Sequence, residues 1–207
     1  NKIKPIQFQD FMNSQDARNE SWQRKFDGDV MARAEPNAGH LAIQEWFGAG
    51  KLGGVITQNV DNLHQLSGLD EDRIVELHGN ATYASCLSCG ARYELSELRE
   101  QFHSQGEIAP CPLCGGLIKT ATISFGQSMP EGEMTKAQQM VEACDLLIVL
   151  GSSLTVYPAA GFPQYAKQLG ASLVIVNREA TDQDHLADLV IHQSIGQVMS
   201  AAVTQAR

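Results

Sequence analysis

The sequence has no long apolar run. The longest, Leu146-Leu-Ile-Val-Leu150, falls far short of the ~20 residues a helix needs to cross a bilayer. Nothing in it resembles a cleavable signal sequence, so a cytoplasmic location without a membrane partner is expected. Positive charge is also scarce: Lys and Arg number 15 against 24 Asp and Glu, for a net charge of -9 and a pI near 5.1. That balance argues against a surface built to bind nucleic acid or anionic lipid, and nucleic acid is not an expected partner. Cysteines number 5 in 207 residues, too few for a disulfide framework, and four of them form two Cys-x-x-Cys pairs. No internal repeat or low-complexity tract is present. Before residue 50 there is no apolar strand running into a Gly-rich turn, the usual opening of a dinucleotide-binding fold. The hydrophobic fraction of 43% is nevertheless ordinary for a globular protein.

The first 35 residues are polar, with scattered Phe8, Phe11, Met12, Trp22 and Phe26, and they predict short amphipathic helices. Pro36-Asn37 starts a helix whose apolar face is Leu41, Ile43, Trp46 and Phe47, ended by Gly48 and Gly50. A buried strand, Val55-Ile56, then delivers Thr57, Gln58, Asn59, Asp61 and Asn62 into one loop. Such a loop either faces a ligand beyond the strand's carboxyl end or is an Asx-rich turn satisfying its own backbone, and this stretch alone leaves both open.

Ile74 to Leu77 forms a second strand, ending in His78-Gly79-Asn80. Residues 81–119 change texture to turns, Cys pairs and a short helix. Thr120 to Phe125 is an extended return. A helix carrying Met134, Ala137, Met140 and Val141 leads to Leu146–Leu150, expected to be fully buried and to run into Gly151-Ser152-Ser153. A helix through Tyr165, Ala166 and Leu169 leads to the strand Ser172–Asn177, and residues 197–206 form a closing helix. Alternating strands and helices predict an α/β fold, a doubly wound, Rossmann-like parallel sheet over residues 1–80 and 120–207, with a small zinc-ribbon module inserted at 81–119. On that arrangement Gln58, Asn59, Asp61, His78, Ser152, Ser153 and Asn177 share one rim, a binding cleft.

Cys86-x-x-Cys89 and Cys111-x-x-Cys114 have the spacing of a zinc site, and Gly90, Gly115 and Gly116 follow them to turn two thiolates toward one ion. Four sulfurs close a tetrahedral ion to water, so the metal is structural; free or redox-active thiols are the alternative. Cys144, beside a buried strand, reads as a core cysteine. Among the 6 histidines only His78 directly follows a strand and precedes a glycine. Its near-neutral pKa suits a general base, but position alone leaves a structural role equally open. His40 is expected simply to pack on its helix.

Taken together, Thr57-Gln-Asn-Val-Asp-Asn-Leu-His64, Glu76-Leu-His-Gly79, the two Cys pairs, Ser124-Phe-Gly126 and Gly151-Ser-Ser-Leu-Thr-Val-Tyr-Pro-Ala-Ala160 closely resemble the sirtuin family of NAD-dependent protein deacylases. The likeness runs from about Trp22 to the C-terminus. It implies NAD and zinc as cofactors and acylated-lysine proteins or peptides as partners. It also implies that His78 is the base and that Gln58, Asn59 and Asp61 hold the nicotinamide ribose region. Gly151, Ser152, Ser153 and Asn177 would bind the rest of NAD, and Ile195 would touch the adenine. Ile123, Phe125 and Gly126 would flank an acyl-lysine added as a strand. The implied reaction begins with attack of the acyl-lysine amide oxygen on the ribose carbon that releases nicotinamide, and ends in free lysine and O-acyl-ADP-ribose. A protein ADP-ribosyltransferase and an inactive binding module are the alternatives.

Three departures from the family stand out. Sirtuins open with a strand, a Gly-Ala-Gly loop and a Pro-Asp-Phe-Arg segment, so either the sequence lacks roughly 50 residues at its start, the favoured expectation, or the protein is natively truncated. Trp22 and Lys25 fall where desuccinylating members carry Tyr and Arg, which makes acetyl or a longer apolar acyl the expected group. Gln127 stands in place of the usual Glu after Phe-Gly.

Overall fold

The computed structural model describes residues 4–28 and 34–206. Its contacts divide into two compact units, one within residues 1–34, 59–62 and 78–129, the other within 35–58, 63–77 and 130–207.

The second unit carries the parallel strands. Helix α3 (Ala38–Gly48) starts where Asn37 predicts: its side chain accepts from Gly39 N at 2.9 Å and His40 N at 3.4 Å, and His40 Nδ1 accepts from Asn37 N in return. Such an N-cap contributes about 1 kcal/mol. Ala42 and Ile43 turn inward with Leu69, Ile74, Met199 and Val203, which packs α3 against α8 (Ile195–Ala206). Strand β1 (Val55–Thr57) pairs in parallel with β2 (Ile74–Glu76). Helix α6 (Glu131–Ala143) buries Ala137 and Val141, and its first-turn Glu133 accepts from Glu76 N at 3.2 Å, tying helix to strand end. Strands β6 (Leu146–Leu150), β7 (Ser172–Val176) and β8 (Leu189–Ile191) form a second parallel group, with α7 (Phe162–Gln168) between β6 and β7 in the chain. Leu173 and Ile175 on β7 are completely buried.

The fold class is therefore α/β with parallel sheets, but one expectation fails. β6 is not fully buried: Leu146 is 45% exposed and its next four residues are half-buried. Val55 and Ile56 of β1 are half-buried as well. The reason lies in pairing, since β1 bonds only to β2 and β6 only to β7, and no ladder joins the two groups among the described residues. Each of β1 and β6 thus has one edge without a ladder partner among the described residues, and that flank lacks the cover a neighbouring strand gives.

The first unit is built on an antiparallel sheet, β4 (Arg92–Glu94), β3 (Gly79–Cys86) and β5 (Ile118–Thr122), with helix α5 (Leu95–Gln105) beside it. The predicted N-terminal helices are α1 (Phe8–Asn13) and α2 (Gln15–Asp27), joined at Ser14, whose hydroxyl caps α2 by accepting from Ala17 N. Trp22 and Phe26 stack at 5.4 Å and lie in one apolar cluster with Ala84, Cys86, Leu98, Phe102, Cys111 and Ile118. This unit is thus wider than the 81–119 segment the texture marks, because α1 and α2 supply part of its core. Trp22, only 2% exposed, is a core side chain of this unit. Among the described residues no helix is long and apolar enough to cross a membrane.

Candidate functional site

In the first unit, His78 lies just before β3, and its carbonyl accepts from Ile123 N at 2.8 Å, where the chain leaves β5. Gly79 makes this approach feasible. It has φ +73°, and a Cβ there would stand 1.9 Å from Ala121 O, so no other residue fits without moving β5. The 59–62 loop is stitched to the same place. Ala81 N donates to Val60 O at 2.8 Å, and the buried Asn80 donates from Nδ2 to Asn62 Oδ1 at 2.9 Å. Asn80 Oδ1 in turn accepts from Thr82 N and Oγ1, at 2.9 and 2.6 Å. Asn59 and Asp61 are therefore held on the loop whose neighbours bond to the start of β3.

Ile123 leads into an exposed turn. Phe125 is 66% exposed, and its carbonyl accepts from Phe8 N at 2.9 Å. Gln127 closes this turn twice, its backbone N donating to Ser124 O at 3.0 Å and its side-chain oxygen accepting from Ser124 N at 3.1 Å. An amide does this without charge, which gives Gln127 a structural account: it keeps the turn and puts no carboxylate beside Phe125 and Gly126.

In the second unit, three parallel strand ends carry the other polar residues. Gln58 Nε2 donates to Ser152 Oγ at 3.4 Å, a long bond linking the ends of β1 and β6. Gly151 N donates to Val176 O at 2.9 Å, and a Cβ on Gly151 would meet Ile195 Cδ1 at 2.7 Å. Ser153 Oγ lies 2.9 Å from Thr155 Oγ1, and Asn177 donates from Nδ2 to Glu179 O at 2.8 Å. Gln58, Gly151, Ser152 and Ile195 thus gather at carboxyl ends of the sheet strands, with Asn177 at the end of β7. A glycine backbone flanked by small polar side chains at that rim fits a dinucleotide.

Leu154 follows at φ +56°, a conformation that costs a non-glycine residue about 1–3 kcal/mol. It is held there by Gln183, a buried side chain whose Nε2 donates to Leu154 O at 3.3 Å and Ala160 O at 2.7 Å. The sequence offers no signal for Gln183 or for the buried amide of Asn80 in the other unit. A hollow of about 380 Å³ lies beside Leu154, Thr155, Tyr157, Gln183 and His185. None of the residues expected to bind NAD lines it, so the strand ends mark the candidate site.

The four paired cysteines do converge. Their sulfurs all lie within 4.8 Å of one another. Cys86 and Cys114 are 3.4 Å apart and Cys89 and Cys111 3.7 Å, close to the about 3.8 Å edge of a tetrahedron with 2.3 Å zinc–sulfur bonds. Matching turns set this up: Gly90 N donates to Cys86 O and Gly115 N to Cys111 O, at 2.9 and 2.8 Å. Cys86 and Cys111 face the apolar cluster while Cys89 and Cys114 are exposed. The donor set fits a closed, four-thiolate zinc ion. Tyr93 Oη lies 2.9 Å from Cys111 Sγ; this bond, first among the causes, pulls the Cys111 thiol down to about 6 and pushes the phenol up to about 12. Cys144 is half-buried, its thiol donating to Val141 O at 3.2 Å. His40 and His64 rings sit 4.9 Å apart, both within the second unit.

Fold and donor set define an α/β protein with a four-cysteine metal module. The chain belongs to the Sir2 family, which it matches over residues 1–158. It is 52% identical over 200 residues to an NAD-dependent protein deacetylase of Rhodopseudomonas palustris, covering 96% of this chain and 79% of that protein. Among solved structures it resembles a Sir2 complex with a p53 peptide and NAD+, with a TM-score of 0.87 and 29% identity, covering 99% of this chain and 83% of the other. A structure of Sir2Tm bound to a propionylated peptide gives a TM-score of 0.86 at 30% identity, covering 97% and 83%.

Proposed function

We propose that this chain is an NAD-dependent protein-lysine deacylase, which removes acyl groups such as acetyl from protein lysines and yields nicotinamide and O-acyl-ADP-ribose. The observation that carries the assignment of the base is the bond between His78 O and Ile123 N, which sets the imidazole-bearing residue beside the strand exit that leads to Phe125 and Gly126. NAD, when bound, supplies an electrophilic ribose carbon and a leaving group. His78 takes the proton from a ribose hydroxyl, help worth typically ~10²–10⁴ in rate. Asn59 and Asp61, fixed by the Asn62–Asn80 bond, and Gln58 hold the ribose. Gly151, Ser152, Ser153 and Asn177 hold the remainder, with Ile195 against the adenine.

Ile123, Phe125 and Gly126 present backbone and an exposed ring to the acyl-lysine segment. Cys86, Cys89, Cys111 and Cys114 hold zinc in a module, residues 81–119, inserted into the nucleotide-binding fold. Paired cysteines used as metal ligands favour a reducing compartment, the cytoplasm.

The test is nicotinamide release from NAD in the presence of an acetyl-lysine peptide. His78→Ala is expected to lower deacetylation by at least about 10²-fold. Deacetylation surviving that change at the parent rate would remove His78 from the role.

A further inference from the structure

The four sulfurs are not equivalent. Cys86 and Cys111 are each only 2% exposed, while their partners Cys89 and Cys114 face solvent. Backbone amides serve the turns, Ser88 N reaching Cys86 Sγ at 3.4 Å. Cys111 has a different neighbour, the phenol of Tyr93 at 2.9 Å. Tyr93 comes from β4, where it pairs with Ala84 of β3, and its half-buried ring packs against the cluster of Trp22, Phe26 and Phe102. The ring is thus fixed by the sheet, and its hydroxyl reaches Cys111 without any rearrangement. A thiolate bound to a metal has only lone pairs left to offer, so in that contact the O–H donates and the sulfur accepts.

We propose that Tyr93 is a positioning residue of the metal centre. Its hydroxyl donates to Cys111 Sγ, anchors the buried half of the four-thiolate set, and slows release of zinc. The inference rests on the four cysteines holding zinc. It has a consequence along the sheet. β3 carries Cys86 at one end and Gly79 at the other, and β5 pairs Ile118 with Cys86 and Thr122 with Gly79. The ladder pinned by the metal is the one whose far end sets His78 O against Ile123 N. Outer-shell hydrogen bonds to a metal ligand are typically worth 10–100-fold in affinity, by fixing the ligand and tuning its electron density.

The experiment compares the full chain with Tyr93→Phe and Tyr93→Leu. It measures zinc content, the rate of zinc transfer to a chelator, and the thiolate-to-metal charge-transfer band of the cobalt-substituted protein. With the hydroxyl in the stated role, Tyr93→Phe releases zinc about 10–100-fold faster. Its cobalt band moves to lower energy, because a sulfur without the hydrogen bond is a better electron donor. Tyr93→Leu shows the same band shift with an added loss of thermal stability. If the ring acts by packing alone, Tyr93→Phe restores parent zinc retention and an unshifted band, and the proposal is overturned. A parent protein that takes up no zinc overturns the metal reading itself, an outcome distinct from a zinc-loaded parent that Tyr93→Phe matches.

Discussion

Gly79 shows how much one residue decides. Its φ of +73° and the 1.9 Å approach of Ala121 O to a notional Cβ leave no room for a side chain. Gly79→Ala is therefore expected to destabilise the protein by more than about 1 kcal/mol and to separate His78 from Ile123. Chemical denaturation measures the first effect, and amide exchange at Ile123 the second. A variant with parent stability and a protected Ile123 amide would show that β5 yields cheaply. The place of this glycine after His78 was legible in the sequence, but its close approach to β5 was not. Asn80 and Gln183 were not, because a buried amide is recognised by its partners, and these come from residues 62 and 154. The cysteines were easier, since each pair sets its own turn within five residues and only the meeting of the two pairs is long-range.

At the scale of elements, one carboxylate ties α7 to the sheet alongside the apolar packing of Phe162 and Ala166. Asp188 accepts from Lys167 Nζ at 2.9 and 2.8 Å and from Leu173 N at 2.7 Å, joining the helix to β7. The Lys167 ammonium first, and then the Leu173 amide, hold this carboxyl below its usual range. A depressed folded pKa means stability present above the unfolded value of about 3.9 and lost as pH falls through the folded one. Asp188→Asn should accordingly melt below the parent at neutral pH, and the gap should narrow as the pH drops below about 4. Thermal unfolding across that window checks it; a gap independent of pH would mean that the charge is not what matters. Elements also set the limit of sequence reading. The apolar run Leu146–Leu150 predicts a strand, and a strand is found, but its burial depends on a ladder partner that five residues do not specify. Trp22 and Phe26 likewise show a helical face without naming the sheet they cover.

For the whole molecule, the chain order of motifs carried more than any single one. The parallel strands and the antiparallel metal module fall in separate units, with the 59–62 loop and His78 assigned to the module's unit and Gly151, Ser152 and Asn177 to the other. Gly151, Ser152 and Asn177 thus lie in one unit, and His78 lies in the other together with Asn59, Asp61 and the segment 123–126. The central claim is that the acyl group leaves lysine for the ribose of NAD. Its most direct test is mass spectrometry of all products after incubation with NAD and an acetyl-lysine peptide. O-acetyl-ADP-ribose, nicotinamide and free-lysine peptide are expected in equal amounts. Free acetate with NAD unconsumed, or ADP-ribose attached to protein with the peptide still acetylated, would contradict it.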